Sequence, residues 1–254
     1  MPPLALREKV TDLLTRTRSQ VHRLRPRGAI DIRRHDVVVL KLFWRSISLF
    51  DGTFALLKED LAEEAMILGR SLFVEALRLA EIEEAGDDRT ALVLGWANSS
   101  IKEKKGLIEE ASKLGLEKEK EIMLSHLDDE QKGLQAYARR KGVGKLRKFL
   151  HVRDAAARYG REHDYWSYSF GHEVVHGSDT AFLFRRKKVD NDTVAISNRT
   201  PDPEIIAGVA SFAAKSVVQA ARAAANVFGW QDGQQLQQLS KEIDELANGL
   251  RNGG

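Results

Sequence analysis

The stretch that most constrains this chain runs from Asp202-Pro203 to Gly229. It is Ala-rich, and Ile205, Val209, Phe212, Val217, Ala221 and Ala224 recur at close to helical spacing. Both ends are marked. An Asp can cap the first turn, the Pro sits where no amide partner is needed, and Gly229 supplies a stop. A helix with so small-featured a contact face lets neighbouring helices approach closely, so this segment calls for a bundle around it.

The rest of the chain supplies the neighbours. Leu6, Val10, Leu13 and Leu14 form a stripe that Arg25-Pro26-Arg27-Gly28 breaks. Val39, Phe43, Ile47, Phe50, Phe54 and Leu57 mark a second helix. Asp60-Leu61-Ala62-Glu63 reads as a capping box opening a third, with Leu61, Ala65, Leu68, Leu72, Ala76 and Leu79 on one face. Asp87 and Asp88 can cap a fourth that runs through Leu92, Gly95 and Trp96 towards Ile108. Residues 101–148, rich in Lys and Glu, suit exposed helices with i,i+4 pairs, interrupted at Gly142-Val143-Gly144. Residues 149–176 read as one or two helices broken near Gly160, and a short apolar helix follows over Thr180 to Phe184. A final helix covers about 234–249. The expectation is an all-α, single-domain bundle of about eight helices over residues 1–254, with a short irregular or hairpin insert near 188–201 and C-terminal helices over 202–249.

Composition narrows the function classes. Hydrophobic content of 43% with 30% charge fits a folded domain and argues against disorder. The absence of cysteine removes disulfides, thiolate zinc sites and cysteine nucleophiles. The amino terminus lacks the apolar run of a signal peptide and no stretch reads as a membrane span, so a cytoplasmic location is expected. A net charge of +3 does not by itself indicate a nucleic-acid binder. Its distribution is uneven: Arg16, Arg18, Arg23, Arg25 and Arg27 cluster, as do Arg139, Arg140, Lys141, Lys145, Arg147 and Lys148, and Arg185 to Lys188 form a third group. Such groups can bind phosphates, although solvated helix ends are the plainer reading. Self-association and nucleic-acid contact through Arg139, Arg140, Lys145, Arg147 and Lys148 are the partner expectations.

The most chemically suggestive segment is Tyr168-Ser-Phe-Gly-His172-Glu173-Val-Val-His176-Gly177. His172-Glu173-Val-Val-His176 matches the H-E-x-x-H pattern, in which histidines four apart offer two imidazoles to zinc and the Glu deprotonates a bound water. A third ligand has no downstream motif, and Gly177 is a natural helix stop. A second pattern, R-x4–6-H of helical HEPN ribonucleases, fits Arg158 with His163 and also Arg16 with His22.

Two blocks carry a family resemblance. His35-Asp-Val-Val-Val-Leu through Gly69-Arg70-Ser-Leu-Phe-Val-Glu75 to Ile82, and Tyr168-x3-His172-x3-His176-Gly177-Ser178, resemble an uncharacterised bacterial family, domain of unknown function 5677, over about residues 35–185. In that family Ser usually stands where this chain has His172, which makes His176 the histidine shared with the pattern. Its Glu usually lies four residues after the Arg; here Val74 holds that place and Glu75 follows about 100° further round the helix. The resemblance implies a helical fold that brings Arg70 near a Tyr168–His172–His176 face, and it implies no activity.

The sequence therefore supports an interaction or structural module built round a Tyr/His/Arg cluster, with no cofactor. One alternative is a nuclease-like enzyme acting on RNA or DNA, in defence, through His176, His172, Tyr168 and Arg70. The other is a zinc hydrolase with His172 and His176 as ligands and Glu173 as base.

Overall fold

The computed structural model describes residues 3–24, 34–112, 115, 117–175, 186–188, 194–196, 202–230 and 233–252. Among these, the chain forms nine α-helices, one 3-10 turn (Gly86–Asp88) and one two-stranded hairpin. The helices are α1 (Pro3–Arg23), α2 (Arg34–Lys58), α3 (Ala62–Glu84), α4 (Arg89–Ser112), α5 (Glu117–Arg140), α6 (Val152–Arg158), α7 (Glu162–Val175), α8 (Pro203–Phe228) and α9 (Gly233–Asn252). The hairpin pairs β1 (Arg186–Lys188) with β2 (Val194–Ile196), antiparallel, Arg186 opposite Ile196. The insert expected near 188–201 is thus a hairpin that starts two residues earlier. The expected helix at Thr180 to Phe184 lies outside the described residues. By Cα proximity the chain divides into two compact units, one of residues 1–31, 39–83 and 151–254, the other of 32–38 and 84–150.

The first unit is organised on α8, which buries sixteen of its 26 residues and packs against α1 and α9. Its start is as the sequence requires: the Asp202 carboxylate accepts from the Glu204 N–H at 2.8 Å, with Pro203 in the first turn. By length and composition α8 could cross a membrane, contrary to the sequence reading, but 72% of its apolar window is buried inside the fold. It is the core helix. The α2 stripe is buried throughout, from Val39 to Leu57, while on α3 the buried face runs Ala65, Leu72, Ala76 and Leu79, with Leu61 and Leu68 half-buried.

Helix ends in this chain use one device repeatedly. The residue after the cap takes a left-handed conformation, and the next N–H reaches back five residues. At Gly160 (φ 64) the Arg161 N–H bonds the Ala156 carbonyl at 2.7 Å. Gly229 closes α8 similarly, and Trp230 beyond it stacks 5.0 Å from Phe228 and meets Phe43 of α2 at a tilt, 5.5 Å away. The same device corrects the reading of Asp60. Instead of opening α3, Asp60 (φ 60) closes α2: its N–H bonds Leu57 O at 3.2 Å and the Leu61 N–H bonds Leu56 O at 3.0 Å. Its carboxylate pairs with Arg7 at 2.8 Å. A short acidic side chain tolerates the left-handed region better than most, which lets Asp stand where Gly is usual.

The second unit is built on a helical hairpin of α4 and α5, with a returning segment after α5. Leu94, Ile101, Ile108, Leu127, Leu134 and Ala138 form its core. Lys105 bridges the helices, 2.6 Å from Asp128 and 2.7 Å from Gln131. The segment after α5 lies directly on α4: the Arg147 N–H bonds Ala91 O at 3.2 Å, and a methyl at Gly95 would sit 1.7 Å from the Arg147 carbonyl oxygen. Gly95 is there because only a bare backbone fits.

Candidate functional site

The site lies in the first unit and is built from α7 outward. Schellman closure at Gly160 sets Arg161 at the mouth of α7, and Arg161 turns inward, 4% exposed. A buried guanidinium needs hydrogen-bond acceptors around it, and each nitrogen has one. Nε donates to Asp164, Nη1 to Gln219 of α8, and Nη2 to the Ser216 hydroxyl at 3.2 Å. Ser216 in turn donates to Phe212 O at 2.8 Å. The guanidinium Cζ lies over the Phe73 ring of α3, 5.0 Å from its centre. Burial pulls the Arg161 pKa below its ordinary value, and Asp164 opposes that shift. An arginine so placed still carries its charge at neutral pH.

Two turns along α7 the pattern repeats with Tyr168. Its ring lies 5.8 Å from Phe73 and stacks on Tyr165 at 5.7 Å. Arg70 of α3 covers it, Cζ 4.7 Å from the ring centre, while Arg70 Nη1 reaches the Gly171 carbonyl at 3.4 Å. Gly171 permits the approach. A methyl there would come within 2.6 Å of Arg70 Cδ and 2.9 Å of Met66 Cγ. The result is a continuous run, Arg70, Tyr168, Phe73, Arg161, that ties α3, α7 and α8.

The expectation that Arg70 meets Tyr168 is therefore met. Glu75 does not join them. It is buried at 4% exposure and takes Arg45 of α2 at 3.3 Å and Arg78 at 3.4 Å. This is the face to which its one-residue displacement rotates it. His172 and Glu173 belong to the last turn of α7, whereas His176 lies outside the described residues. Among the described residues no three His, Asp or Glu side chains gather to hold a metal. Neither R-x4–6-H match becomes a constellation. Arg158 and His163 are exposed on different helices, either side of the Gly160 turn. Arg16 goes to Asp12 and Glu242, while His22 sits 3.0 Å from Asp51.

Arg161, Phe73, Ser216 and Gln219 were not singled out by sequence reasoning. The available signal was Arg161 three residues before Asp164 at the start of a helix, just after a glycine stop. The basic residues named for nucleic acid fall in the second unit. Arg139, Arg140, Lys141, Lys145 and Lys148 are exposed with no carboxylate paired to them among the described residues, while Arg147 pairs with Asp88 at 3.1 Å. Arg140 and Lys141 flank the Tyr137 ring at 5.5 and 5.8 Å.

Together these features define an all-α protein, apart from one small hairpin, with an arginine–aromatic clamp joining α3, α7 and α8. Residues 36–193 match the model of a family of unknown function, DUF5677, and the chain belongs to that family. No curated protein and no solved structure matches it.

Proposed function

We propose that the chain is a cytoplasmic helical interaction module, in which the Arg70–Tyr168–Phe73–Arg161 run holds helices in register and does no chemistry. The observation that carries this reading is the engagement of both arginines. Arg161 donates to Asp164, Gln219 and Ser216, and Arg70 lies on the Tyr168 ring with Nη1 on the Gly171 carbonyl, so both guanidiniums are turned onto neighbouring helices. The test is incubation of concentrated protein with RNA, DNA and a peptide substrate. All are expected to survive intact. Degradation by the wild type that a His176→Ala protein loses would sink this reading in favour of the nuclease. Stoichiometric zinc in protein purified without added metal, lost on His172→Ala, would replace it with the zinc hydrolase.

A second reading concerns what the module docks. The exposed cations at the end of α5 and just beyond it, with no carboxylate paired to them among the described residues and Tyr137 among them, suit a nucleic-acid phosphate backbone. Fluorescence anisotropy with RNA and DNA oligonucleotides is expected to show binding that weakens steeply between about 50 and 200 mM salt. Arg139→Glu, Arg140→Glu and Lys145→Glu together are expected to abolish it. Binding untouched by these changes would overturn the assignment.

A further inference from the structure

The cations of the second unit are concentrated. Between Glu130 and Leu150 the sequence holds seven Lys and Arg and no Asp or Glu. Two of the seven have carboxylate partners from outside that stretch: Lys132 stands 3.3 Å from Asp129, and Arg147 stands 3.1 Å from Asp88. The other five, Arg139, Arg140, Lys141, Lys145 and Lys148, are exposed, with no carboxylate paired to them among the described residues.

Fixed backbone carries these five. Arg139 and Arg140 end α5, and the chain turns at Gly142 (φ 67), where the Gly142 N–H bonds Arg139 O and the Val143 N–H bonds Ala138 O, both at 3.0 Å. The returning segment is then fastened at every third residue. Val143 and Leu146 pack against the core that α4 and α5 share, and Phe149 meets Trp96 of α4 edge-on, ring centres 6.4 Å apart. The Arg147 N–H on Ala91 O adds a backbone tie. Lys145 and Lys148 stand between these anchors and remain exposed. Cations held this way are arranged before a partner arrives, which lowers the ordering cost of binding.

The surroundings select the form of the partner. Single-strand binders stack bases on open aromatic rings, and side-chain amides are common readers of base edges. From Arg139 to Leu150 there is no Asn, Gln, Tyr or Trp, and the one aromatic, Phe149, is engaged with Trp96. Tyr137 packs on the core, with Arg140 and Lys141 at 5.5 and 5.8 Å from its ring centre. Building on the nucleic-acid reading of these cations, we propose that the array binds the phosphate backbone of a duplex without reading its sequence. A duplex carries one charge per about 1.7 Å of axis, roughly twice the density of one strand, in positions set by the helix. A single strand has to be ordered on binding and finds no ring here to stack on.

Fluorescence anisotropy on the full chain tests this with two DNA duplexes of unrelated sequence, the separated strands of each, and an RNA duplex. The two DNA duplexes are expected to bind alike and the single strands about tenfold more weakly. The slope of log K against log salt on duplex is expected near about −4, at about 0.9 per phosphate neutralised. Tighter binding of the DNA or the RNA duplex supports the proposal and names the preferred form. Lys145→Ala with Lys148→Ala removes two exposed cations and leaves the anchors in place; it is expected to reduce the slope by about 2. Single strands bound as tightly as duplexes, a tenfold preference for one DNA sequence, or an unchanged slope in the double variant would overturn the proposal and leave the nucleic-acid reading standing. No binding to any oligonucleotide would remove both.

Discussion

The Arg70 guanidinium lies 4.7 Å from the centre of the Tyr168 ring and, from the same side chain, 3.4 Å from the Gly171 carbonyl. One residue of α3 therefore grips α7 at two points one turn apart. A cation over a partly buried aromatic face is worth about 0.5–2 kcal/mol, and its planar group is stiff enough to fix both distance and register. The pair that looks like reactive chemistry in sequence lies, in the fold, at the contact between α3 and α7.

That contact depends on the missing side chain at Gly171. Gly171→Ala is expected to destabilise the protein by about 1–3 kcal/mol, because overlap with Arg70 Cδ and Met66 Cγ outweighs the gain of about 1 kcal/mol in helix propensity. Gly208→Ala is the control, made in open space on α8, and should stabilise by about 0.5–1 kcal/mol. Urea denaturation of the two variants should move the midpoint in opposite directions.

Arg161 should be the most costly polar residue to lose. Arg161→Ala leaves Asp164 half-buried with Lys215 alone and strands Gln219 and Ser216, for an expected loss of about 3 kcal/mol. Arg161→Lys should recover less than half, since one ammonium cannot reach three acceptors and still cover Phe73. Equilibrium unfolding measures both.

Asp60 carries a conformation that glycine adopts without strain. Asp60→Gly is expected to raise stability by about 0.5 kcal/mol, the relief at φ 60 exceeding the few tenths supplied by the exposed Arg7 pair. Asp60→Val should cost at least about 1 kcal/mol, as a branched side chain fits that region worst. Thermal melts of the pair decide whether this residue ends α2 or starts α3.

In the second unit, Lys105 stands 2.6 Å from Asp128 and holds its carboxyl below the usual carboxylate range. A depressed folded-state pKa means the pairing is present at neutral pH and is lost as pH falls through that lowered value. NMR titration of the Asp128 carboxyl carbon should return a pKa below that of a free aspartate, and it should move back up in Lys105→Met and in high salt, because the pair is exposed.

How much of this was legible in sequence follows from the length scale of each interaction. The α2 stripe from Val39 to Leu57 and the cap at Asp202-Pro203 are set by neighbours within a turn or two, so periodicity and capping chemistry reveal them. Asp60 looks in sequence like the start of α3 because the same residue type serves either end of a helix, and only the sign of φ distinguishes them. Arg70 with Tyr168 came from the family resemblance, since nothing local joins residues on different helices. Arg161 was passed over for a related reason: its partners Ser216 and Gln219 lie on α8, and an arginine in sequence looks the same whether it faces water or a core.

The central claim, that Arg70 and Tyr168 are a structural joint, is tested most directly by a double-mutant cycle in urea denaturation with Arg70→Met, Tyr168→Leu and the double variant. The joint predicts that each single change destabilises and that the two are coupled by about 1 kcal/mol. Additive effects, or single variants as stable as the wild type, would contradict it.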